Sequence, residues 1–233
     1  MNGKNTEQPV RCVDFDPETL RCYAVTDRHW LNGRRLVDDV RACLDGGMTF
    51  VQLREKDTEH PLTHEELLKE AVEIRDLCHE RRVPFIIDDD VDLALACGAD
   101  GVHVGQSDME AGTVREKIGP HRILGVSAGT VEEALLAEKR GADYLGVGAV
   151  FPTSSKDDAE AVSHETLKAI CEAVSIPVIA IGGITRDNVT ALAGTGIVGI
   201  SVISAVFARP DIRAAAADLK ARTLEMLSAF PCP

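Results

Sequence analysis

Short apolar runs alternate with longer amphipathic stretches eight times along this chain of 233 residues. Short apolar runs are typical of buried strands, and apolar residues at helical spacing are typical of helices. The predicted strands cover residues 22–27, 49–53, 84–88, 101–105, 122–127, 144–151, 177–184 and 197–204. The predicted helices cover residues 35–47, 63–82, 91–100, 108–119, 130–143, 163–174, 185–196 and 211–227.

Strict alternation of buried strands and helices predicts a parallel sheet that is covered on both faces. Eight such units match a closed (β/α)8 TIM barrel, which takes about 250 residues. A doubly wound open sheet is the alternative, but no GxGxxG motif follows the first strand, and this disfavours a dinucleotide-binding version. We expect one α/β barrel domain over residues 20–230, preceded by an N-terminal extension over residues 1–19.

Charge and composition exclude several kinds of partner. The formal charge of −13 disfavours nucleic acids and anionic membranes. The sequence has no run of apolar residues long enough for a membrane span, and its first residues lack the apolar core of a signal peptide. Seven irregularly spaced cysteines without a CxxC motif indicate free thiols in a reducing cytoplasm. We expect a cytoplasmic protein that binds small molecules, and homo-oligomer formation stays open.

The carboxyl ends of the last three predicted strands carry features of phosphate sites, and this is the face where TIM barrels place their active sites. Gly182 and Gly183 end the seventh strand, and a short helical turn follows the eighth. Both arrangements can bind an anion through backbone N–H groups, although the glycines could simply allow tight turns. After the sixth strand, "FPTSSK" combines three hydroxyls with Lys156, which suits phosphate oxygens, although such loops are usually only solvated.

The end of the second predicted strand reads "VQLREKD" and alternates polar side chains. Gln52, Arg54 and Lys56 lie on the same side of the chain if it stays extended. Such alternation usually marks a solvated edge strand. At a barrel mouth, however, an arginine fork and a lysine point charge could clamp a polyanion.

Acidic residues crowd the ends of the third and fourth predicted strands. Asp88, Asp89 and Asp108 would repel one another there unless a proton or a cation intervened, and Mg²⁺ takes such carboxylates together with substrate phosphates. Asp90 is expected to cap the following helix and Asp92 to lie in its first turn. Capping and solvation of all these acids is the competing interpretation.

His103 alternates with two valines in the fourth predicted strand and should face the barrel interior. A hydrogen-bonded structural histidine is the expected role, and direct substrate contact is the second option.

These segments together resemble thiamine phosphate synthases over roughly residues 20–208. The resemblance is carried by "YAVTDR", "VQLREKD", "DDVDLALACGADGVHVGQSD", "LGVS", "YLGVGAVFPTSSK", "IPVIAIGGI" and "VISAV". It implies a transferase that joins 4-amino-2-methyl-5-hydroxymethylpyrimidine diphosphate to a thiazole phosphate. The implied products are thiamine phosphate and pyrophosphate, and the implied cofactor is Mg²⁺.

The resemblance also assigns roles to individual residues. The pyrimidine diphosphate would be held by Gln52, Arg54, Lys56, Asp88, Ser127 and Lys156, of which the catalytic ones are Arg54, Lys56, Ser127 and Lys156. The thiazole phosphate would be held by Thr153, Ser155, Gly183, Ile203 and Ser204. The Mg²⁺ ligands would be Asp89 and Asp108. The chain departs from the family pattern at Asp88 (usually Asn), Ser155 (commonly Thr) and Ala149 (commonly Pro).

Three other functions compete with this interpretation. A thiazole tautomerase of the same barrel lineage would keep the phosphate loops but would not need the diphosphate clamp or the metal acids. A phosphosugar epimerase or aldolase would want a carboxylate base pair or a lysine at a strand end, and no lysine lies inside a predicted strand. A non-catalytic precursor-binding protein would not need both the clamp and the acids.

Overall fold

A computed structural model describes residues 12, 15–57, 61–153 and 161–229. Its centre is a closed barrel of eight strands in sequence order. Each strand pairs in parallel with the next, and the eighth pairs with the first. The strands are β1 Cys22–Val25, β2 Phe50–Leu53, β3 Phe85–Asp88, β4 Gly101–Val104, β5 Ile123–Ala128, β6 Tyr144–Val147, β7 Val178–Ile181 and β8 Gly199–Val202. The predicted (β/α)8 barrel is confirmed.

Helices connect the strands. The α-helices are α1 Leu36–Asp45, α2 His64–Glu80, α3 Val91–Cys97, α4 Ala111–Ile118, α5 Val131–Lys139, α6 His164–Ala173, α7 Ser204–Phe207 and α8 Ile212–Ala229. Short 3-10 helices cover Pro17–Arg21, Arg28–Trp30 and Val189–Leu192. Within the described ranges, no helix combines the length and the apolar character that crossing a membrane requires.

Local capping fixes several helix starts that the sequence predicts. Thr63 and Glu66 form a reciprocal capping box at the start of α2. The side chain of Asp90 accepts a hydrogen bond from the backbone N–H of Leu93 and caps α3, and Asp92 lies in the first turn. Two of the crowded acids are therefore used for helix initiation, as predicted.

The predicted helix over residues 185–196 is wrong. The structure forms only a 3-10 helix there, from Val189 to Leu192. The Asn188 side chain accepts a hydrogen bond from the backbone N–H of Thr185 and donates one to the carbonyl of Gly183. These local bonds compete with helix formation, and glycines with positive φ follow at 194 and 196. Apolar spacing alone therefore overestimated this element.

Side chains of the strands alternate between the barrel interior and the surrounding helices. On β1, Cys22 and Ala24 face the surrounding helices, whereas Tyr23 and Val25 face the barrel interior. The interior cluster also receives Leu20 from the segment before β1. This parity decides which strand residues can reach the mouth of the barrel, since every second side chain points inward.

Four of the described cysteines, Cys22, Cys43, Cys78 and Cys97, are buried free thiols, as predicted. Burial raises the pKa of Cys22 to about 11 and that of Cys78 to about 12, and it also raises the pKa values of Cys43 and Cys97. We expect these four to resist alkylation near neutral pH, because the thiolate is the reactive form. Mass mapping after iodoacetamide treatment checks this, with unfolded protein as the fully modified control. Rapid labelling of Cys43 in folded protein would contradict it.

Candidate active site

A cavity of about 810 Å³ opens at the carboxyl ends of the strands. It brings together most of the residues that the sequence singles out. The predicted site residues that line it are Arg54, Lys56, Asp88, Asp89, Asp108, Ser127, Thr153, Gly183, Ile203 and Ser204. Ser155 and Lys156 lie outside the described residues. The assembly of these side chains depends on the closed barrel, which places the ends of all its strands around one opening.

Arg54 enters the cavity between two carboxylates. Its Nη1 donates to Asp27 Oδ2 at 3.0 Å, and its Nε lies 3.8 Å from Asp88 Oδ2. The backbone N–H of Arg54 donates to the hydroxyl of buried Thr26 at 3.0 Å. The Arg54 Nε has no hydrogen-bond partner among the described residues. The guanidinium is therefore held between the residues that follow β1 and the end of β3, with its buried Nε facing Asp88.

Lys56 and the acids Asp89 and Asp108 form the second charged group. Lys56 Nζ donates to Asp89 Oδ2 at 2.5 Å, and Asp108 Oδ2 accepts from the backbone N–H of Gly105 at 2.8 Å. Asp89 has a φ of +59°, which is uncommon for a residue other than glycine, and its backbone N–H donates to the carbonyl of His103. Because this backbone region is typical of constrained functional positions, Asp89 stands out from its acidic neighbours.

The two acids titrate as a pair. Burial opposes ionisation of Asp89, but hydrogen bonds from Lys56 and Asp108 hold its pKa below the ordinary value. Burial and then the neighbouring Asp89 raise the pKa of Asp108. The hydrogen bond to Asp89 raises the pKa of Lys56. A cation that bound both carboxylates would offset the repulsion that raises the pKa of Asp108.

Two carboxylates beside an open cavity suit Mg²⁺ better than they suit a metal ion whose ligands all come from the protein. Mg²⁺ commonly binds through one or two carboxylates and fills its other positions with water and substrate phosphate. Across the part of the chain that the structure describes, no group of three or more histidine, cysteine or acidic side chains forms a metal site. Asp89 and Asp108 are therefore the residues that could hold such an ion, together with a phosphate ligand.

The carboxyl end of β7 forms the wall of the cavity opposite the charged residues. Gly182 and Gly183 have φ of +97° and +64°, and a Cβ on Gly183 would lie 2.4 Å from the carbonyl oxygen of Pro152. Only glycine fits this approach of two backbone segments. Thr153, which follows Pro152, also lines the cavity, as do Ile203 and Ser204, which follow β8. This wall exposes backbone and hydroxyl groups, in contrast to the charged wall at β2–β4.

Comparisons with known proteins agree with this geometry. The family model described as thiamine monophosphate synthase matches residues 22–206. The chain belongs to the thiamine monophosphate synthase family. Thiamine phosphate synthesis by alkyl transfer, the function predicted from the sequence, is confirmed at the level of this family, and the tautomerase alternative gains no support.

Individual relatives cover nearly the same span. The chain is 49% identical over 197 residues to the thiamine-phosphate synthase of Ruminiclostridium cellulolyticum, covering 84% of this chain and 92% of the relative. It is 50% identical over 198 residues to that of Desulfitobacterium hafniense, covering 84% and 94%. The solved thiamine phosphate pyrophosphorylase of Pyrococcus furiosus aligns with a TM-score of 0.82 at 43% identity, covering 91% of this chain and 98% of that one.

In this family member, a series of hydrogen bonds runs through the barrel interior and ends at His103 and Ser127 in the cavity wall. The amide of Gln52 donates to the Tyr23 hydroxyl at 2.9 Å, which lies 3.0 Å from the Tyr144 hydroxyl. His103 contacts Tyr144 at 2.9 Å through Nδ1 and Ser127 Oγ at 2.9 Å through Nε2. His103 is thus a hydrogen-bonded residue of the barrel interior, as predicted.

The two tyrosines are the part of this site that sequence reasoning missed. A usable signal existed, because the chain has only two tyrosines and both lie in predicted strands. Gly125 makes room for them, since a Cβ there would lie 2.3 Å from the Tyr144 ring and 2.4 Å from His103 Nδ1. Gln52 belongs to this series of hydrogen bonds and does not line the cavity in the described structure. Its predicted contact with a diphosphate therefore stays a prediction.

Proposed function

We propose that this chain transfers the pyrimidinylmethyl group of 4-amino-2-methyl-5-hydroxymethylpyrimidine diphosphate to the nitrogen of a thiazole phosphate, with Mg²⁺ as cofactor. One observation carries the proposal. A single cavity joins the Arg54 and Lys56 cations and the Asp89–Asp108 acid pair on one wall to a glycine and hydroxyl wall on the other. Two phosphorylated substrates need two such walls, and a metal-bound diphosphate needs the charged one.

The charged wall is assigned to the diphosphate. Arg54 offers the positive charge of a guanidinium in the cavity wall, and Lys56 offers a point charge at the end of the same segment. Lys156 is proposed to complete the clamp from the loop after β6. Ser127 is held by His103 at 2.9 Å and lies in the cavity wall, which suits a contact with the pyrimidine substrate.

The other wall is assigned to the thiazole phosphate. Gly183 presents backbone at positive φ, while Thr153 and Ser204 add hydroxyl groups. Ile203 is mostly buried and belongs to the barrel-interior cluster, so it offers an apolar surface to a ring. Ser155 is proposed as a further phosphate contact. Small donors and close backbone approach are the usual means by which TIM barrels bind a phosphate monoester at this position.

The chemistry follows from these contacts. The C–O bond between the pyrimidine methylene and the diphosphate breaks, and its electron pair leaves with the diphosphate. The electron-rich aminopyrimidine delocalises the resulting positive charge, and the thiazole nitrogen then forms the C–N bond. Arg54, Lys56 and Lys156 stabilise the charge that develops on the leaving group. Bound Mg²⁺ would add charge neutralisation at the same oxygens.

Positioning supplies the remaining part of the rate. The walls of the cavity would hold both substrates in one enclosure, which replaces a bimolecular encounter by a local one. No general base is needed, because the attacking thiazole nitrogen carries a lone pair. A tautomerase would have no use for the cations and the acid pair of the β2–β4 wall.

The deciding experiment is direct synthesis. Purified protein is incubated with both precursors and Mg²⁺, and thiamine phosphate is detected by its fluorescence after oxidation. Product that requires both precursors and Mg²⁺ is expected, with EDTA-treated protein as the control. Correctly folded protein that forms no product would overturn the proposal. Conversion of the thiazole phosphate alone to its tautomer would favour the tautomerase instead.

Asp88 gives a finer prediction, because the family usually has asparagine at this position. Its carboxylate lies 3.8 Å from Arg54 Nε and is mostly buried, so it opposes an incoming diphosphate. We expect Asp88→Asn to tighten Mg²⁺–pyrophosphate binding by about three- to tenfold, since one nearby negative charge is removed. Calorimetric titration measures this effect, and Asp92→Asn serves as the charge-matched control. Weaker binding by Asp88→Asn would mean that its carboxylate supports the site.

We also propose a cytoplasmic location. The four buried free thiols, Cys22, Cys43, Cys78 and Cys97, support it, because disulfides are rare in reducing compartments. The high negative charge supports small molecules rather than nucleic acids as partners. A homo-oligomer stays a prediction, and exposed Leu135 and Leu136 on α5 are large apolar side chains that it could bury.

A further inference from the structure

A set of ion pairs outside the cavity joins the end of β1 to the end of β2. The two strands pair in parallel with Val25 opposite Gln52, so the residues that follow them run side by side. Arg28 Nε donates to Glu55 Oε2 at 2.7 Å, and Arg28 Nη2 donates to Glu70 of α2. The Arg28, Glu55 and Glu70 side chains are only 16%, 16% and 21% exposed. We call these three residues the Arg28 triad.

Glu55 connects the triad to the backbone of the clamp. Its second oxygen, Oε1, accepts a hydrogen bond from the backbone N–H of Asp57 at 3.1 Å. Glu55 stands between Arg54 and Lys56, and neighbouring side chains of an extended segment point to opposite sides. The carboxylate of Glu55 therefore fixes the segment from the side opposite the cavity, and both cations depend on that anchor.

Arg28 itself is firmly held. Burial works against its charge, but the hydrogen bonds that Arg28 donates to Glu70 and Glu55 raise its pKa overall. Two carboxylates around one guanidinium make a partly buried network, whose loss costs more than that of an exposed pair. In the described structure, Arg28 does not line the cavity. Arg28 reaches the segment that carries the two cations through Glu55, and its chain neighbour Asp27 contacts Arg54 directly.

We propose that Arg28 is a positioning residue, which acts through Glu55 to hold Arg54 and Lys56 in the geometry that binds a diphosphate. This inference rests on the function proposed above for the role of the two cations. Glu70 anchors the triad to α2, so the clamp is braced against a helix and not only against its neighbouring strand. The sequence signal is the opposite charge order of Asp27-Arg28 and Arg54-Glu55 at the ends of adjacent strands.

The test measures binding of inorganic pyrophosphate with Mg²⁺ to the full chain by calorimetry. Arg28→Met is expected to weaken this binding about tenfold and to raise the KM for the pyrimidine diphosphate similarly. The KM for the thiazole phosphate should change by less than twofold, because its proposed wall lies at β7 and β8. A general loss of packing would raise both KM values, whereas a positioning role raises only one.

Glu55→Met separates positioning from simple electrostatics. Removing a negative charge beside Arg54 and Lys56 would strengthen anion binding if only the local potential mattered. If the anchor matters, pyrophosphate binding weakens about as much as in Arg28→Met, and the double variant is no weaker than the worse single one. Tighter binding by Glu55→Met would overturn the proposal. Should Arg28→Met fail to fold, Arg28→Lys keeps the charge without the two-armed contact and is expected to weaken binding about threefold.

Arg81→Met is the matched control. Arg81 ends α2 at the opposite face of the barrel, where it forms an ion pair with Asp45. This change should leave pyrophosphate binding within twofold of the unmodified chain, and an equal loss in Arg81→Met and Arg28→Met would overturn the positioning role. The binding readout does not need turnover. An unmodified chain that binds pyrophosphate without forming product would overturn the proposed function and still test the triad.

Discussion

Replacing Asp89 by asparagine is expected to lower Mg²⁺-dependent synthesis of thiamine phosphate by at least about 100-fold. Asp89 contributes the ionised carboxylate of the pair with Asp108 and holds Lys56 at 2.5 Å. Asparagine keeps the shape and tolerates the positive φ of +59°, so the fold should survive. Steady-state synthesis assays measure the loss, and calorimetry should show weaker binding of pyrophosphate with Mg²⁺.

The matched control for this prediction is Asp92→Asn. It removes the same charge three positions further on, from an exposed residue in the first turn of α3. Its synthesis rate should stay within about twofold, and thiazole phosphate binding should stay intact in both variants. If Asp89→Asn lost thiazole phosphate binding to the same extent as synthesis, the division of the cavity into two walls would be wrong.

Replacing Arg115 by methionine is expected to lower the free energy of unfolding by about 3–5 kcal/mol. Arg115 is 6% exposed and donates to the carbonyls of Gly141, Gly119 and Arg122 and to Asp143 Oδ2 at 2.6 Å. Asp143 would then keep its buried charge with only backbone donors, such as the N–H of Leu124 at 2.7 Å. Urea unfolding followed by circular dichroism measures the change.

Two further variants test whether the buried charge is the cause. Arg122→Met removes a neighbouring arginine whose side chain donates a 3.4 Å hydrogen bond to the carbonyl of Ile118, and it should cost less than about 1 kcal/mol. Arg115→Met combined with Asp143→Leu should be less destabilised than the sum of the two single changes, because no unpaired charge is left. An Arg115→Met protein within about 1 kcal/mol of the unmodified chain would contradict this account of the pair.

Local sequence patterns predicted the start of individual helices as well as the order of the strands. The spacing of Thr63 and Glu66 marked the start of α2, and Asp90 was separated from the other acids as a helix cap. These predictions succeeded because capping depends on a few neighbouring residues and hardly on the rest of the chain. The prediction of a helix over residues 185–196 was wrong, also because of local contacts. Hydrogen bonds made by the Asn188 side chain outweighed the apolar spacing.

The contacts of individual polar side chains could not be predicted without the closed barrel. Gln52 was grouped with Arg54 and Lys56 by alternation, yet its amide donates to Tyr23 in the barrel interior. Asp88 follows the third strand together with the predicted metal ligand Asp89, and its carboxylate lies 3.8 Å from Arg54 Nε. Both outcomes depend on which residue of another strand lies opposite, and that information is absent from any single segment.

By itself, the sequence determined the alternation of strands and helices, the parity of each strand and the types of charge at the strand ends. Each of these is a property of neighbours along the chain, because side-chain direction repeats every two residues in a strand. Only the tertiary structure decided which of those charges meet. Strand register placed Asp88 opposite His103, Asp89 within reach of Lys56 and Asp108, and Arg28 against Glu55 and Glu70. A one-residue slip between strands would exchange inward and outward side chains, so the register that the packed core imposes is what turns a pattern of charges into a site.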